Sequence, residues 1–277
     1  MTLPTILVFD SGLGGLTVLR ETVKARPDAH FVYVADDAFF PYGGHSEAAL
    51  IERTVPLMGK LIEEHRPDLI VIACNTASTL VLAELRAQYT VPFVGTVPAI
   101  KPACAASLTK RVSVLGTQAT VSREYTRALI RQFANGSEVT LVGSARLASL
   151  AEAELNGDTV TDAAITAEIV PCFVETGGAR TDTVVLACTH YPLLLDRLTR
   201  LSPWPVTFVD PAPAIARRVL DLLGPATGRP QPLPSAFRLT SGRAPSERLS
   251  GALAQFGLGE LRKAGNSPRI DTPELSA

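Results

Sequence analysis

Two stretches of the chain end an apolar run in Ala-Cys and then turn polar: residues 69–76, LIVIACNT, carry Cys74-Asn75-Thr76, and residues 183–190, TVVLACTH, carry Cys188-Thr189-His190. In open α/β sheets ligands bind beyond the carboxyl ends of strands, which is where both cysteines fall. A thiol at a helix N-terminus also gains thiolate character from the backbone N–H groups and the helix dipole, and both cysteines sit at predicted helix starts. Two such halves facing each other would put one thiol on either side of a shared cleft. Either cysteine alone reads equally as a packing residue, because Cys is among the most buried types. The recurrence in one polar context favours chemistry. Cys104 and Cys172 lie in helical contexts without adjacent donors and read as packing, and no CxxC or Cys/His cluster suggests a metal. His190 is tied to the site by its place after Cys188-Thr189, whereas His30, His45 and His65 read as surface or packing residues.

A second polar block, Asp10-Ser11-Gly12-Leu13-Gly14-Gly15, closes the first apolar run. A glycine-rich turn between strand and helix reads as a phosphate cradle, and Asp36 falls near where a dinucleotide fold keeps its ribose carboxylate. That reading implies a nucleotide-binding oxidoreductase. Against it, the order is G-x-G-G, and a carboxylate at Asp10 would repel pyrophosphate. Asp10 better suits an amino group or a proton relay, while a purely structural alternative has Asp10 and Ser11 capping the following helix.

The elements that must position these residues recur along the chain. Apolar runs at 6–10, 31–36, 69–74, 92–97, 112–116, 139–143, 183–188 and 206–210 read as strands buried on both faces. Helical patterns at Leu16 to Ala25, Glu47 to His65, Ala77 to Gln88 and Arg123 to Phe133 supply crossovers. The fold class is therefore α/β with mainly parallel sheets. Residues 236–242 read as one more short strand, Ser246 to Phe256 as a helix, and 263–277 as a disordered tail. At 277 residues, two compact units are expected. Apolar residues at 46% and charged residues at 19% exclude a disordered chain. With 26 Lys and Arg against 27 Asp and Glu, the net charge of -1 argues against a nucleic-acid partner. The most apolar region, 69–85, carries too many polar groups for a membrane span, and Asp10 interrupts the first apolar run too early for a signal peptide, so a cytoplasmic protein is expected.

Asp10-Ser-Gly-x-Gly-Gly-Leu-Thr-Val18, Pro41-Tyr42-Gly43, residues 73–78 (ACNTAS), Gly116-Thr117-x-Ala-Thr120-Val121 and residues 187–194 (ACTHYPLL) resemble, in order, the sequence blocks of the glutamate racemases. The resemblance runs from about residue 6 to about 256. It implies two α/β domains related by a pseudo-twofold axis, 1–97 plus 207–262 and 98–206, with the active site in the cleft between them. It also implies cofactor-independent interconversion of L- and D-glutamate, D-glutamate supply for peptidoglycan, a glutamate substrate and a homodimer. Cys74 would take the proton from D-glutamate, assisted by Asp10, and Cys188 that from L-glutamate, assisted by His190 and Glu152. The run before Glu152 lacks the family's usual Cys-Pro, which leaves Glu152 and Glu154 as alternatives. Ser11, Tyr42, Gly43, Asn75, Thr76, Thr120 and Thr189, together with Asp10 and His190, would hold the substrate, with Thr117 as an addition. None of the five lysines, Lys24, Lys60, Lys101, Lys110 and Lys263, lies in these blocks, so a pyridoxal phosphate racemase has no seat for its Schiff base. Aspartate racemases are close kin, but His190 after Thr189 favours glutamate. A non-catalytic amino-acid-binding module is the remaining alternative. Racemization inside a closed cleft further implies domain movement on binding.

Overall fold

The computed structural model describes residues 3–227 and 236–255. In chain order the strands are β1 (Thr5–Asp10), β2 (His30–Ala35), β3 (Leu69–Ile72), β4 (Phe93–Gly95), β5 (Arg111–Thr117), β6 (Glu138–Ser144), β7 (Glu175–Thr176), β8 (Ala179–Arg180), β9 (Thr183–Ala187), β10 (Thr207–Val209) and β11 (Ala236–Leu239). The helices are α1 (Leu16–Ala25), α2 (Glu47–His65), α3 (Asn75–Leu80), α4 (Leu82–Gln88), α5 (Ile100–Ala106), α6 (Gln118–Ser122), α7 (Glu124–Phe133), α8 (Leu147–Asn156), α9 (Asp162–Ile169), α10 (Leu195–Leu201), α11 (Ala212–Leu223) and α12 (Glu247–Gln255).

The strands form two parallel sheets, ordered β11-β2-β1-β3-β4 and β10-β9-β5-β6, plus the small β7-β8 hairpin. Read from its other edge, the second sheet is β6-β5-β9-β10, the same topology as β2-β1-β3-β4. The repeat seen around the two cysteines is thus a repeat of the whole sheet plan, with β9 standing where β3 stands. β10 is the counterpart of β4 and hydrogen-bonds β9. The division at residue 207 therefore cuts off a strand that the second sheet holds, and by sheet membership the return to the first falls after Val209. The chain crosses between the sheets after β4 and again after β10.

The apolar runs of the central strands follow from helices on both faces. Ile6 and Val8 of β1 pack in one cluster with α1 and α11, whereas Leu7 and Phe9 pack in another with α2, α3 and α4. In the second sheet Val184 and Leu186 face one cluster and Val185 and Ala187 the other. Cys104 and Cys172 are buried in these clusters, in keeping with a packing role.

The helix reading differs in two places. The stretch from Ala77 to Gln88 is two helices that meet at Val81, preceded by Ser78 and Thr79 hydroxyls bonding backbone carbonyls, a known competitor of regular helix. Cys188 does not start a helix: a turn and a 3₁₀ segment, Tyr191–Leu194, precede α10, because Pro192 lacks the N–H that a continuing helix needs. The β7-β8 hairpin was not anticipated, although its turn, Gly177-Gly178 with both φ values positive, is a recognised hairpin signal. The tail at 263–277 lies outside the described residues. Among the described residues no helix is long and apolar enough to cross a membrane.

Candidate active site

Cys74 leaves β3 in an extended conformation and forms the N-cap of α3. Its thiol donates to the Ser11 hydroxyl at 3.7 Å. Burial pushes this thiol well above its ordinary value and the nearby Asp10 carboxylate adds to the rise, while the Ala77 N–H and Ser11 oppose it. Desolvation therefore outweighs the helix N-terminus, the reverse of what position alone predicts.

Asp10 ends β1 fully buried, and its Oδ2 accepts the Gly15 N–H at 2.8 Å. It does cap the start of α1, so the structural reading holds for that oxygen. Oδ1 has no partner. Burial raises the pKa of Asp10, against the lowering influence of His190 and of the Gly15 N–H.

In the second half the Cys188 sulfur lies 3.8 Å from His190 Nδ1, and His190 Nε2 lies 2.9 Å from Glu152 Oε1. Burial of His190 works against its cation, but the hydrogen bonds with Cys188 and Glu152 outweigh it and hold its pKa well above the ordinary value. Nδ1 faces the sulfur, and Nε2 faces the carboxylate and the Gly14 N–H. Of the two glutamates left open in the sequence, Glu152 meets His190, whereas Glu154 pairs with Arg197 on α10.

Both thiols line one cavity, together with Ser11, Tyr42, Gly43, Asn75 and Thr76 from the first half and Thr189 and His190 from the second. Thr117 joins them, while Thr120 stands one step behind, bonded to Thr76 and Thr117. Asp10 and Glu152 also lie behind the wall, each in contact with a group that lines it. Both amide atoms of Asn75 are buried without partners, a cost of about 1–3 kcal/mol that a bound carboxylate or ammonium would relieve. The free space between these residues is small, ≈ 20 Å³.

Sequence reasoning missed Phe40, whose ring lies 5.4 Å from that of His190, and Ala148, which also lines the cavity. It also missed the support beneath Tyr42. Asp36, fully buried, accepts from the Tyr42 hydroxyl at 2.7 Å, from Arg53 at 2.5 and 3.0 Å, and from the Thr240 hydroxyl at 2.6 Å. A carboxylate so engaged has no free oxygen for a ribose, and the N-terminus of α1 is already occupied by Asp10. Neither half of the nucleotide reading survives.

The family described as Asp/Glu/Hydantoin racemase matches residues 10–219. The glutamate racemase of Sinorhizobium medicae is 55% identical over 250 residues, 90% of this chain and 89% of that protein. That of Brucella anthropi is 60% identical over 221 residues, 79% and 80% of the two chains. The crystal structure of Escherichia coli glutamate racemase in complex with L-glutamate and the activator UDP-MurNAc-ala superposes with a TM-score of 0.84 at 39% identity, covering 94% of this chain and 97% of that one. The paired thiols at equivalent strand ends, and a likeness that spans nearly the whole chain, thus lead to one statement: the chain belongs to the Asp/Glu/Hydantoin racemase family and, within it, to the glutamate racemases.

Proposed function

We propose that the protein interconverts L- and D-glutamate without a cofactor, by two cysteines acting on opposite faces of Cα. The observation that carries this reading is a single small cavity walled by Cys74 from one sheet and Cys188 from the other. Inversion by proton transfer requires a base on one face and an acid on the other, with roles exchanged in reverse. For D-glutamate the Cys74 thiolate removes the α-proton while the Cys188 thiol delivers one to the far face. For L-glutamate the roles exchange. Asp10 lies beside Cys74, and His190, held by Glu152, lies beside Cys188. Ser11, Asn75, Thr76, Thr189 and the Tyr42-Gly43 turn offer hydroxyl, amide and backbone donors to the carboxylates and keep Cα between the sulfurs. Among the described residues no lysine lines the cavity. D-glutamate supply for peptidoglycan, residence in the cytoplasm and a homodimer complete the reading, and they rest on kinship with the glutamate racemases.

The test is deuterium uptake at Cα. Purified protein in D2O, with no cofactor added, is expected to place deuterium into both enantiomers of glutamate. An unlabelled Cα in both would overturn the reading.

We further propose that the two sheets are the cores of two domains that separate to admit substrate. The free space between the thiols is narrow as they stand, and opening would widen the way in for glutamate. Small-angle scattering is expected to show a smaller radius of gyration with saturating glutamate than without. Superimposable profiles would count against opening.

A further inference from the structure

The glycine-rich turn between β1 and α1 does more than carry Asp10 and Ser11 to the cavity. Its amides reach across to the other half. Leu13 N–H donates to Glu152 Oε1 at 2.6 Å, the Gly14 nitrogen lies 3.2 Å from His190 Nε2, and the Thr17 hydroxyl donates to the Thr189 carbonyl at 3.2 Å. A Cβ on Gly12 would collide with the Glu152 carboxylate, leaving Glu152 Cδ and the Phe40 ring at 3.0 Å. A Cβ on Gly14 would run into the His190 ring and come within 2.6 Å of its backbone nitrogen. Neither glycine has a positive φ. What these positions require is room, and the room is filled by the two residues that stand behind Cys188.

We propose that this turn is the positioning element of the Cys188 proton pair: it reaches over from the first half to hold Glu152 and His190 in line with the sulfur, and the bare Cα of Gly12 leaves the space in which the Glu152 carboxylate sits. This rests on the two-cysteine reading above. Glu152 Oε1 takes both bonds, one from Leu13 and one with His190, so a single backbone amide fixes the atom that orients the imidazole. Because donor and acceptor belong to different sheets, the alignment exists only while the halves are together. Cys74 needs no such help, since its neighbours Asp10 and Ser11 belong to its own half. The glycine-rich turn thus ties the readiness of one thiol, and not the other, to closure.

In racemization this asymmetry is hidden, because L- and D-glutamate have equal free energies in water and kcat/KM must fall equally in both directions. A β-chloro glutamate of each hand exposes it. The thiolate takes the α-proton, the electron pair of the Cα–H bond forms the Cα=Cβ bond, and chloride leaves with the Cβ–Cl pair. Each hand then reports one deprotonation alone.

Gly12→Ala moves the flexible end of Glu152 and no backbone. It is expected to slow chloride release from the L-hand analogue by roughly 10- to 100-fold, the scale of a misplacement near 1 Å, and to leave the D-hand rate within about twofold. Glu152→Asp leaves the turn unaltered, withdraws the carboxylate from Leu13 and is expected to show the same one-sided loss, so the proposal can be tested even if Gly12→Ala folds poorly. Equal losses on both hands, or none, would overturn it. Cys188→Ala separates this from the underlying reading: it must abolish L-hand release and keep D-hand release, and failure there sinks the two-cysteine assignment itself.

Discussion

Cys74→Ala and Cys188→Ala are each expected to lower racemization by about 10²–10⁴-fold in both directions, the contribution of a positioned acid or base. The symmetry of the loss is the informative part. With one thiol gone, one enantiomer loses its base and the other loses the acid on its far face, so racemization falls whichever enantiomer is supplied. Progress followed by circular dichroism from pure D- and pure L-glutamate measures it. The two losses are not expected to add: once one member of the pair is missing, removing the second costs little more. A non-catalytic amino-acid-binding module would instead retain glutamate binding in both variants and show no turnover in the parent protein. Retention of more than a tenth of the parent rate by either variant would remove the pair from the mechanism.

Asp36→Ala is expected to give the largest loss of stability. The carboxylate is fully buried and satisfies Arg53, whose side chain is only 9% exposed, together with the hydroxyls of Tyr42 and Thr240. Deleting it leaves a guanidinium buried without its counter-charge, which costs about 3–5 kcal/mol. For a chain of this size that corresponds to a Tm lower by roughly 6–20 °C. Calorimetry checks the figure, and the double variant Asp36→Ala with Arg53→Met is expected to recover part of the loss, because no stranded charge remains. Tyr42 lines the cavity and loses its anchor in both variants, so a raised KM for glutamate is expected to persist in the double variant even as Tm recovers. Unchanged Tm in the single variant would mean that the buried pair contributes nothing to the folded state.

How far these sites could be foreseen differs residue by residue. Cys74, Cys188, Asp10 and Ser11 were legible because each follows directly on an apolar strand, so a local pattern places it at a strand end, where open sheets bind ligands. The strands of the two sheets were legible as apolar runs, with β11 read as one more short strand, whereas the exposed β7 and β8 were missed. Glu152 was not separable from Glu154. Two residues apart on α8, they point roughly 200° from one another, and what decides between them is the docking of Leu13 from the other half. The nucleotide alternative drew in Asp36 because its offset from the glycines marks a position at a strand end and says nothing about partners. Those partners come from α2 and from Thr240, far along the chain. The upward shift of Cys74 was equally hidden, since helix position is written in the sequence and desolvation is not.

The two crossings between the sheets, after β4 and after β10, run close together: Val97 and Pro98 of the first and Pro211 of the second line the same surface hollow. A body joined to its neighbour at one point can swivel and twist freely. Joined at two adjacent points it keeps one easy rotation, about the line through both. In the opening proposed above, the mouth between the sulfurs would then widen as a jaw does, and each closing stroke would return the thiols to the same facing positions without a search among wrong alignments.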